Sequence, residues 1–299
     1  MKKNRHLLLP LRDGVSASRV QVTEGPWASA LDFLCARFPA VGAAVWQSRI
    51  ARGLVLDANG LPLLAAAACR AGEVLHYYRE LSQEVVVPFT ETVLYRDEHL
   101  LVADKPHFLP VTPVGRFVQE TLLVRLKKAT GIDTLSPIHR LDKDTAGLVL
   151  FSVQPATRDA YQAMFRTRVV QKTYHAIAAA LPQDFPLRYC SRLVEDTQFF
   201  RTREMAGEPN SETWISVQAE ENGRALYSLK PVTGRKHQLR VHMAALGAPI
   251  ENDVLYPEVK AVVDEDFSKP LQLLAKTLAF VDPLTGEPRC FTSAQQLAL

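Results

Sequence analysis

The sequence predicts an α+β fold built on a mixed sheet. Strand-like segments follow one another in runs, as in residues 213–232 and 271–293, and helical periodicity is confined to short stretches between such runs. This order departs from the strict βαβ alternation that is typical of parallel sheets. We therefore expect helices to pack on a sheet of mixed strand directions.

Composition and charge set limits on the class of protein. The chain has 299 residues, of which 47% are hydrophobic and 22% charged, and this describes a globular protein that is large enough for two domains. The net charge of +3 is too mild to indicate a nucleic-acid partner by itself. The four cysteines form no C-x-x-C pair, which argues against a zinc site and a disulfide framework and favours a reducing cytoplasm.

Targeting and membrane segments are not expected. The N-terminal apolar run, Leu7–Leu9, is too short for the core of a signal peptide. No stretch approaches the roughly 20 apolar residues of a membrane span. We therefore expect a cytoplasmic protein.

The N-terminal part is predicted to form a small unit of its own. Helical patterns at residues 28–38 and 43–53 are followed by a turn at Asn59-Gly60 and a strand. Pro88 disfavours a central strand in the connection that follows, so the predicted domains are 1–88 and 89–299. The first resembles an S4-type RNA-binding module through Ser48-Arg49 and the segment 72–75.

The second part begins with two predicted strands around a polar tip at residues 96–99. Further elements follow in order. Helices are predicted within 118–131, 155–168 and 233–247, and strands within 147–153, 171–181, 213–220, 224–232 and 271–293.

A cluster of ionisable residues, "HRLDKD" at 139–144, directly precedes the buried strand "GLVLFSV". Residues in such a position can present side chains to a ligand at the rim of a sheet, although a solvated charged turn would look the same. Asp142 and Asp144 lack the histidines or further acids of a metal cage, so no metal is expected. Retaining glycoside hydrolysis would require a second carboxylate about 5 Å away, and none is identifiable.

A second polar cluster lies in "TGRKHQLRVH", residues 233–242. On a helix, Lys236, His237 and Arg240 would share one side, opposite an apolar stripe. The start of that helix, near Arg235, would offer unpaired N–H groups to a phosphate. Residues 222–250 contain no acidic residue, so this region is locally basic. Further phosphate contacts are expected from Arg125, Lys127 and Lys128, with binding that weakens as salt rises.

Four motifs in this order resemble those of the RluA-type pseudouridine synthases. The resemblance covers residues 92–293. The matching segments are Asp104–Pro106, His139–Asp142 with Thr145–Gly147, Lys172–Tyr174, and Pro231–His242. It implies the pseudouridine synthase fold, with a mainly antiparallel sheet, and an enzyme that isomerises uridine in RNA to pseudouridine without cofactor or metal.

The resemblance also implies roles for individual residues. Asp142 would attack C1′ of the ribose or remove the C2′ proton, and Arg240 would pair with its carboxylate. Tyr174 would stack on the uracil and help to remove the C5 proton, and Arg140 would fill the place of the flipped base. The remaining substrate or RNA-binding candidates are His139, Arg235, Lys236, His237, Gln238 and Lys105.

Two departures from the family pattern and two alternative functions remain. Glu251-Asn252-Asp253 stands where the family usually has a Gly-Asp pair, and Leu274 where a histidine is common; neither is expected to touch the catalytic set.

A noncatalytic RNA-binding protein of the same fold would lack part of that set, and a nucleoside glycosidase would release free uracil. The expected partner is ribosomal or transfer RNA, with no obligatory protein partner and a monomeric chain.

Overall fold

The chain divides into two compact units in a computed structural model that describes residues 9–81, 83–197, 200–261 and 266–299. The first unit consists of the described residues within 1–84, together with 114–119 and 127–133. The second consists of the described residues within 85–113, 120–126 and 134–299.

The first unit has two helices and a small antiparallel sheet. Its elements are β1 (Ser18–Gln21), α1 (Ala30–Arg37), α2 (Ala43–Ala51), β2 (Val55–Leu56) and β3 (Val74–Tyr77), with strand order β1-β3-β2. The Ser29 hydroxyl caps α1 by accepting from the Asp32 N–H, and Phe33 and Trp46 are fully buried in the core. The predicted turn is present, because the Asp57 carboxylate accepts from the N–H groups of Asn59 and Leu61.

The S4-like assignment stays a prediction. Arg49, half of the Ser48-Arg49 pair on which it rests, is buried, donates to the Glu80 carbonyl and lies over the Trp46 ring. This arginine therefore contributes to packing within the unit.

The second unit is built on a large, mostly antiparallel sheet. Its strands are β4 (Thr92–Arg96), β5 (Leu100–Lys105), β6 (Ser136–Pro137), β7 (Ala146–Ser152), β8 (Gln171–Ala179), β9 (Leu187–Glu195), β10 (Thr202–Met205), β11 (Ser211–Glu221), β12 (Arg224–Pro231), β13 (Leu273–Val281) and β14 (Pro288–Thr292). The order is β10-β9-β11-β12-β8-β13-β7-β5-β4, with β14 beside β13 and β6 beside β7. A short parallel pairing joins β13 to β7, so the sheet is mixed.

Helices pack on this sheet at two places. The remaining helices are α3 (Leu122–Thr130), α4 (Arg158–Arg166) and α5 (Gln238–Ala245). From α4, Tyr161 and Met164 enter a core formed with β5, β7 and β13, and from α5, Leu239 and Met243 pack on β8, β11 and β12. All seven residues of β7 are buried, as its unbroken apolar run predicts. The predicted α+β class, with helices flanking a mixed and mainly antiparallel sheet, is confirmed.

Several boundaries differ from the sequence prediction. Helix α5 begins at Gln238, five residues later than predicted, and α3 begins at Leu122, so Val118 lies outside it. Strands β9 and β10 were not predicted, because their polar residues give a weak alternation. Within the described ranges, no helix is both long and apolar enough to cross a membrane.

Candidate active site

Asp142 lies in the loop that leads into β7, with its side chain 34% exposed. Its backbone carbonyl accepts from the Thr145 N–H, which closes a turn. Side chains from the end of β5 and the segment after it also hold the loop, because the Lys105 ammonium donates to the Lys143 carbonyl at 2.9 Å and His107 Nδ1 bonds to the Asp144 carbonyl at 2.8 Å. The backbone immediately after Asp142 is therefore fixed while its carboxylate stays accessible.

Gly147 allows β7 to approach β13 closely. Its φ is +110°, which residues other than glycine rarely adopt, and a Cβ there would collide with the Ala275 backbone. The glycine of the family motif thus lets the strand after Asp142 enter the parallel pairing with β13.

The structure brings together Asp142 and Arg240, which are 98 residues apart in the chain. Arg240 Nη1 lies 3.4 Å from Asp142 Oδ2. The other side of the guanidinium is bound to Asp253, with Nε and Nη2 each donating to a carboxylate oxygen at 2.7 Å. A bidentate pair of this kind fixes the plane of the guanidinium, so Nη1 is aimed at Asp142.

Asp253 corrects the expectation that the segment 251–253 does not touch the catalytic set. It is 1% exposed and Arg240 is 2% exposed, so this is a buried ion pair. Burial alone would lower the pKa of Arg240, but the hydrogen bonds and charge of Asp253, with the charge of Asp142, raise it above its ordinary value. Asn252 has a φ of +61°, the left-handed conformation that glycine adopts most readily, so Asn252-Asp253 corresponds to the Gly-Asp pair of the family.

His237 is the second group beside the Asp142 carboxylate, with Nε2 3.8 Å from Oδ2. Its Nδ1 lies 2.8 Å from the Tyr256 hydroxyl. Sequence reasoning missed Tyr256, which also has the Arg240 guanidinium over its ring, at 5.4 Å from the centroid. No local pattern marks this tyrosine, because its contacts come from segments distant in the chain.

Tyr174 lies on β8, between Leu229 of β12 and Ala275 of β13 in the ladder. Burial and the charge of Asp142 together raise the pKa of its phenol above the ordinary value. The hydroxyl is therefore neutral at pH 7 and lies within electrostatic reach of Asp142.

His139 and Arg140 precede the loop and differ in exposure. His139 Nε2 accepts from the Leu150 N–H at 3.1 Å, and its ring stacks on Phe165. Burial, together with the nearby Lys172, lowers the pKa of His139 to about 3. This histidine is a neutral support for β7, and its contact with RNA stays a prediction, whereas Arg140 is exposed to solvent.

The start of α5 corrects the predicted basic helix face. Lys236 and His237 precede the helix, and His237 has a left-handed φ of +55°, so neither lies on a helical face with Arg240. The amide of Gln238 is buried and satisfied, since its Oε1 accepts from the Thr233 hydroxyl and the Arg235 N–H and its Nε2 donates to the Glu212 carbonyl and the Thr213 hydroxyl. Gln238 therefore shapes the turn instead of contacting RNA, while Arg235 and Lys236 are exposed.

Lys105 does not contact solvent. Its fully buried ammonium donates to the carbonyls of Pro106, Leu109 and Lys143. Burial lowers its pKa to about 7, against the opposing charges of Asp144 and Asp142. This position corrects the expected RNA contact, because the ammonium holds the loop from inside.

Several expected phosphate contacts are engaged elsewhere. Arg125 binds Glu120, Glu91 and the Phe89 and Val87 carbonyls, and Arg224 binds Glu251 through two hydrogen bonds. Lys127 is buried and Lys128 donates to Gln119. Fewer of these basic side chains are therefore free to contact phosphates than the sequence suggests. Among the described residues, no group of three His, Cys, Asp or Glu side chains is placed to hold a metal ion.

We expect the two buried histidines His139 and His242 to make the fold sensitive to acid. Burial lowers the pKa of His242 to about 4, and that of His139 is about 3. Both are neutral in the folded state, while an unfolded histidine takes up a proton near pH 6.5. The stabilising contribution of each neutral histidine is therefore complete above about pH 6.5. Below pH 6.5, each histidine should lower the free energy of unfolding by about 1.4 kcal/mol per pH unit, down to its pKa in the folded state.

Urea unfolding between pH 7 and pH 5 measures this dependence. The variant His242→Gln should reduce the slope, because one group that takes up a proton on unfolding has been removed. A slope unchanged by the substitution would show that His242 is protonated in the folded state.

Comparison with known proteins identifies the family. Residues 99–245 match the family model for RNA pseudouridylate synthase. An uncharacterized RNA pseudouridine synthase of Synechocystis sp. is 32% identical over 230 residues, which cover 76% of this chain and 78% of that protein. The dual-specificity RNA pseudouridine synthase RluA of Yersinia pestis is 32% identical over 213 residues, covering 67% of this chain and 96% of that protein.

A solved structure supports the same assignment. Human RNA pseudouridylate synthase domain containing 4 superposes with a TM-score of 0.53 and 28% identity, covering 67% of this chain and 87% of that chain. The residues that match the family model, 99–245, include the loop of Asp142 and helix α5 with Arg240. The chain thus belongs to the RluA-type family of RNA pseudouridine synthases, enzymes that isomerise uridine in RNA.

Proposed function

We propose that this enzyme converts specific uridines in structured RNA, ribosomal or transfer, and that the Asp142 carboxylate carries out the reaction. The observation that carries the proposal is the position of this carboxylate. It is accessible, and its Oδ2 lies 3.4 Å from a guanidinium that a second, buried carboxylate holds in place. Asp253 cannot take this role, because it is 1% exposed and saturated by Arg240 and two backbone N–H groups.

The arrangement suits chemistry at the ribose. In one pathway, a carboxylate oxygen attacks C1′, the N1–C1′ bond breaks, and its electron pair leaves on the uracil. After the ring turns, C5 attacks C1′ and displaces the carboxylate, and the C5 proton passes to solvent while N1 gains one. In the other pathway, Asp142 removes the C2′ proton while the N1–C1′ bond breaks and its electron pair leaves on the uracil, which gives a glycal. After the ring turns, Asp142 returns the proton to C2′ as C5 bonds to C1′, and the C5 proton then passes to solvent while N1 gains one. Both require an ionised carboxylate, and the Arg240 guanidinium lies 3.4 Å from it.

Tyr174 is the residue to which we assign stacking on the uracil. A neutral phenol beside Asp142 supports a stacking role, whereas its raised pKa disfavours the phenolate that direct removal of the C5 proton would need. The exposed Arg140, two residues before Asp142, is placed to enter the duplex when the base is flipped, a step that costs a few kcal/mol.

The proposal is tested by locating the pseudouridine that the enzyme makes. In a strain lacking the gene, chemical mapping of total RNA should show at least one pseudouridine missing, and the wild-type gene should restore it. The purified protein should release tritium from [5-³H]uridine in the transcript that contains that site, without release of free uracil. Persistence of every pseudouridine in the deletion strain, with no tritium release from ribosomal or transfer RNA, would contradict the proposed function.

The S4-like role of residues 1–88, the monomeric state, the lack of an obligatory protein partner and the cytoplasmic location stay predictions.

A further inference from the structure

A chain of three hydrogen-bonding groups leads from a buried backbone amide to the Asp142 carboxylate. The Thr202 N–H donates to the Tyr256 hydroxyl at 2.8 Å, and that hydroxyl lies 2.8 Å from His237 Nδ1. On the other side of the imidazole, Nε2 lies 3.8 Å from Asp142 Oδ2. Tyr256 is 3% exposed and the His237 side chain 8%, so solvent has little access to the connection.

These hydrogen bonds determine which nitrogen of His237 carries the proton. The Tyr256 hydroxyl already accepts from the Thr202 amide, and its own proton needs an acceptor because a buried O–H without one is costly. His237 Nδ1 is placed to accept it. Nδ1 therefore carries no proton, and in the neutral imidazole the proton must reside on Nε2, the atom that faces Asp142.

The tautomer matters because the imidazole is neutral. Burial lowers the pKa of His237 below its ordinary value, against the opposing charge of Asp142, and the charges of Arg240 and Lys236 lower it further. With the proton on Nε2, the ring directs the positive end of an N–H bond at the carboxylate. With the proton on Nδ1, it would direct a lone pair there and disfavour the ionised acid.

We propose that Tyr256 is a positioning residue that holds His237 in the Nε2–H tautomer, so that a neutral N–H, in addition to Arg240, stabilises the Asp142 carboxylate. This inference rests on the proposed role of Asp142. It assigns no contact between Tyr256 and the substrate. The hydroxyl acts through the imidazole, while the ring packs edge-on to His237 and under the Arg240 guanidinium.

The substitution Tyr256→Phe separates these functions, because it removes the hydroxyl and keeps the ring. Nitrogen NMR of the full-length protein with ¹⁵N-labelled histidine reads the tautomer directly, with the His237 signals identified by their loss in His237→Gln. The wild type should show a protonated Nε2 and an unprotonated Nδ1, and Tyr256→Phe should show a mixture of tautomers. We expect kcat to fall by about 10- to 100-fold, the range lost when the partner that orients a functional imidazole is removed, with KM for RNA unchanged.

Tyr189→Phe is a matched control. Tyr189 also packs edge-on to a buried histidine, His242, and its hydroxyl bonds to Glu204, but it lies outside the proposed site. The control should leave both kcat and the His237 tautomer unchanged. A double variant, Tyr256→Phe with His237→Gln, should be no slower than His237→Gln alone, since the hydroxyl acts through the imidazole.

Three results would overturn the inference: a wild-type His237 tautomer in Tyr256→Phe, a shifted tautomer with an unchanged kcat, and fully additive losses of kcat in the double variant. Additive losses are also the result expected if Tyr256→Phe only impairs folding. The NMR result is independent of turnover, so failure of the proposed function, seen as an inactive wild type, is distinguishable from failure of this assignment.

Discussion

Replacement of Asp142 by asparagine is expected to abolish pseudouridine formation while RNA binding is retained. Asparagine preserves the size of the side chain, but its amide can neither attack C1′ nor accept the C2′ proton. We expect tritium release to fall by roughly 10⁴-fold or more, as when other enzymes lose their reacting group. Because the substitution also removes a negative charge from the site proposed to bind RNA, affinity for RNA should stay equal or rise slightly.

The fold should tolerate this substitution. The described side-chain contacts of Asp142 are the 3.4 Å approach of Arg240 and the 3.8 Å approach of His237, and Arg240 keeps its bidentate bond to Asp253 without them. The thermal midpoint should therefore stay close to that of the wild type, so that lost activity reports on chemistry.

Asp144→Asn provides a matched control in the same loop. Asp144 pairs with Lys143 at 3.3 Å, and its side chain, 21% exposed, is similarly accessible. Its neutralisation should change turnover by no more than about tenfold, because a pair of this kind contributes little. Retained turnover in Asp142→Asn, or equal losses in both variants, would reject Asp142 as the reacting group.

The sequence predicted those parts of the structure that depend on local pattern. The unbroken apolar run of β7 and the alternation in the 213–232 region identified strands that are present in the sheet, and their runs identified the fold class. The family motifs also named Asp142, Tyr174 and Arg240 as a set. The structure places Arg240 3.4 Å from Asp142, and the charge of Asp142 contributes to the raised pKa of Tyr174.

The sequence did not predict features that depend on one unusual backbone angle or on contacts between distant segments. The helical interpretation of residues 233–247 failed at His237, whose left-handed φ turns the chain immediately before α5. Such an angle is uncommon for residues other than glycine, so residue type gives no warning of it. Asp253 and Tyr256 were missed because their importance arises from Arg240 and His237, which lie on another segment.

Among the substitutions at this site, Asp253→Asn is expected to cause the largest loss of stability. The Arg240 guanidinium would remain buried at 2% exposure without a balancing charge. Removal of one partner from a buried ion pair typically costs about 3–5 kcal/mol. The asparagine oxygen can still accept from the N–H groups of Leu255 and Tyr256, but its NH2 group would face the Arg240 Nε–H, a donor against a donor. Activity should fall as well, because Nη1 is no longer aimed at Asp142.

Glu251→Gln offers a comparison in which burial is the main difference. Glu251 binds Arg224 through the same two-bond geometry, at 2.7 and 2.8 Å, but the two side chains are 31% and 39% exposed. Loss of this pair should cost about 1 kcal/mol or less. Urea unfolding of the two variants measures the difference, and equal losses would show that burial does not control the strength of the Arg240–Asp253 pair.

A double variant separates stability from catalysis at the same pair. Replacing Arg240 by methionine in the Asp253→Asn variant removes the buried charge that has lost its partner, and the asparagine oxygen stays available to the N–H groups of Leu255 and Tyr256. We expect the free energy of unfolding to recover relative to Asp253→Asn, while tritium release stays at the level of Asp142→Asn. Recovery of activity together with stability would mean that the pair serves the fold alone. Recovery of stability without activity would mean that the buried carboxylate is retained to aim a guanidinium at Asp142.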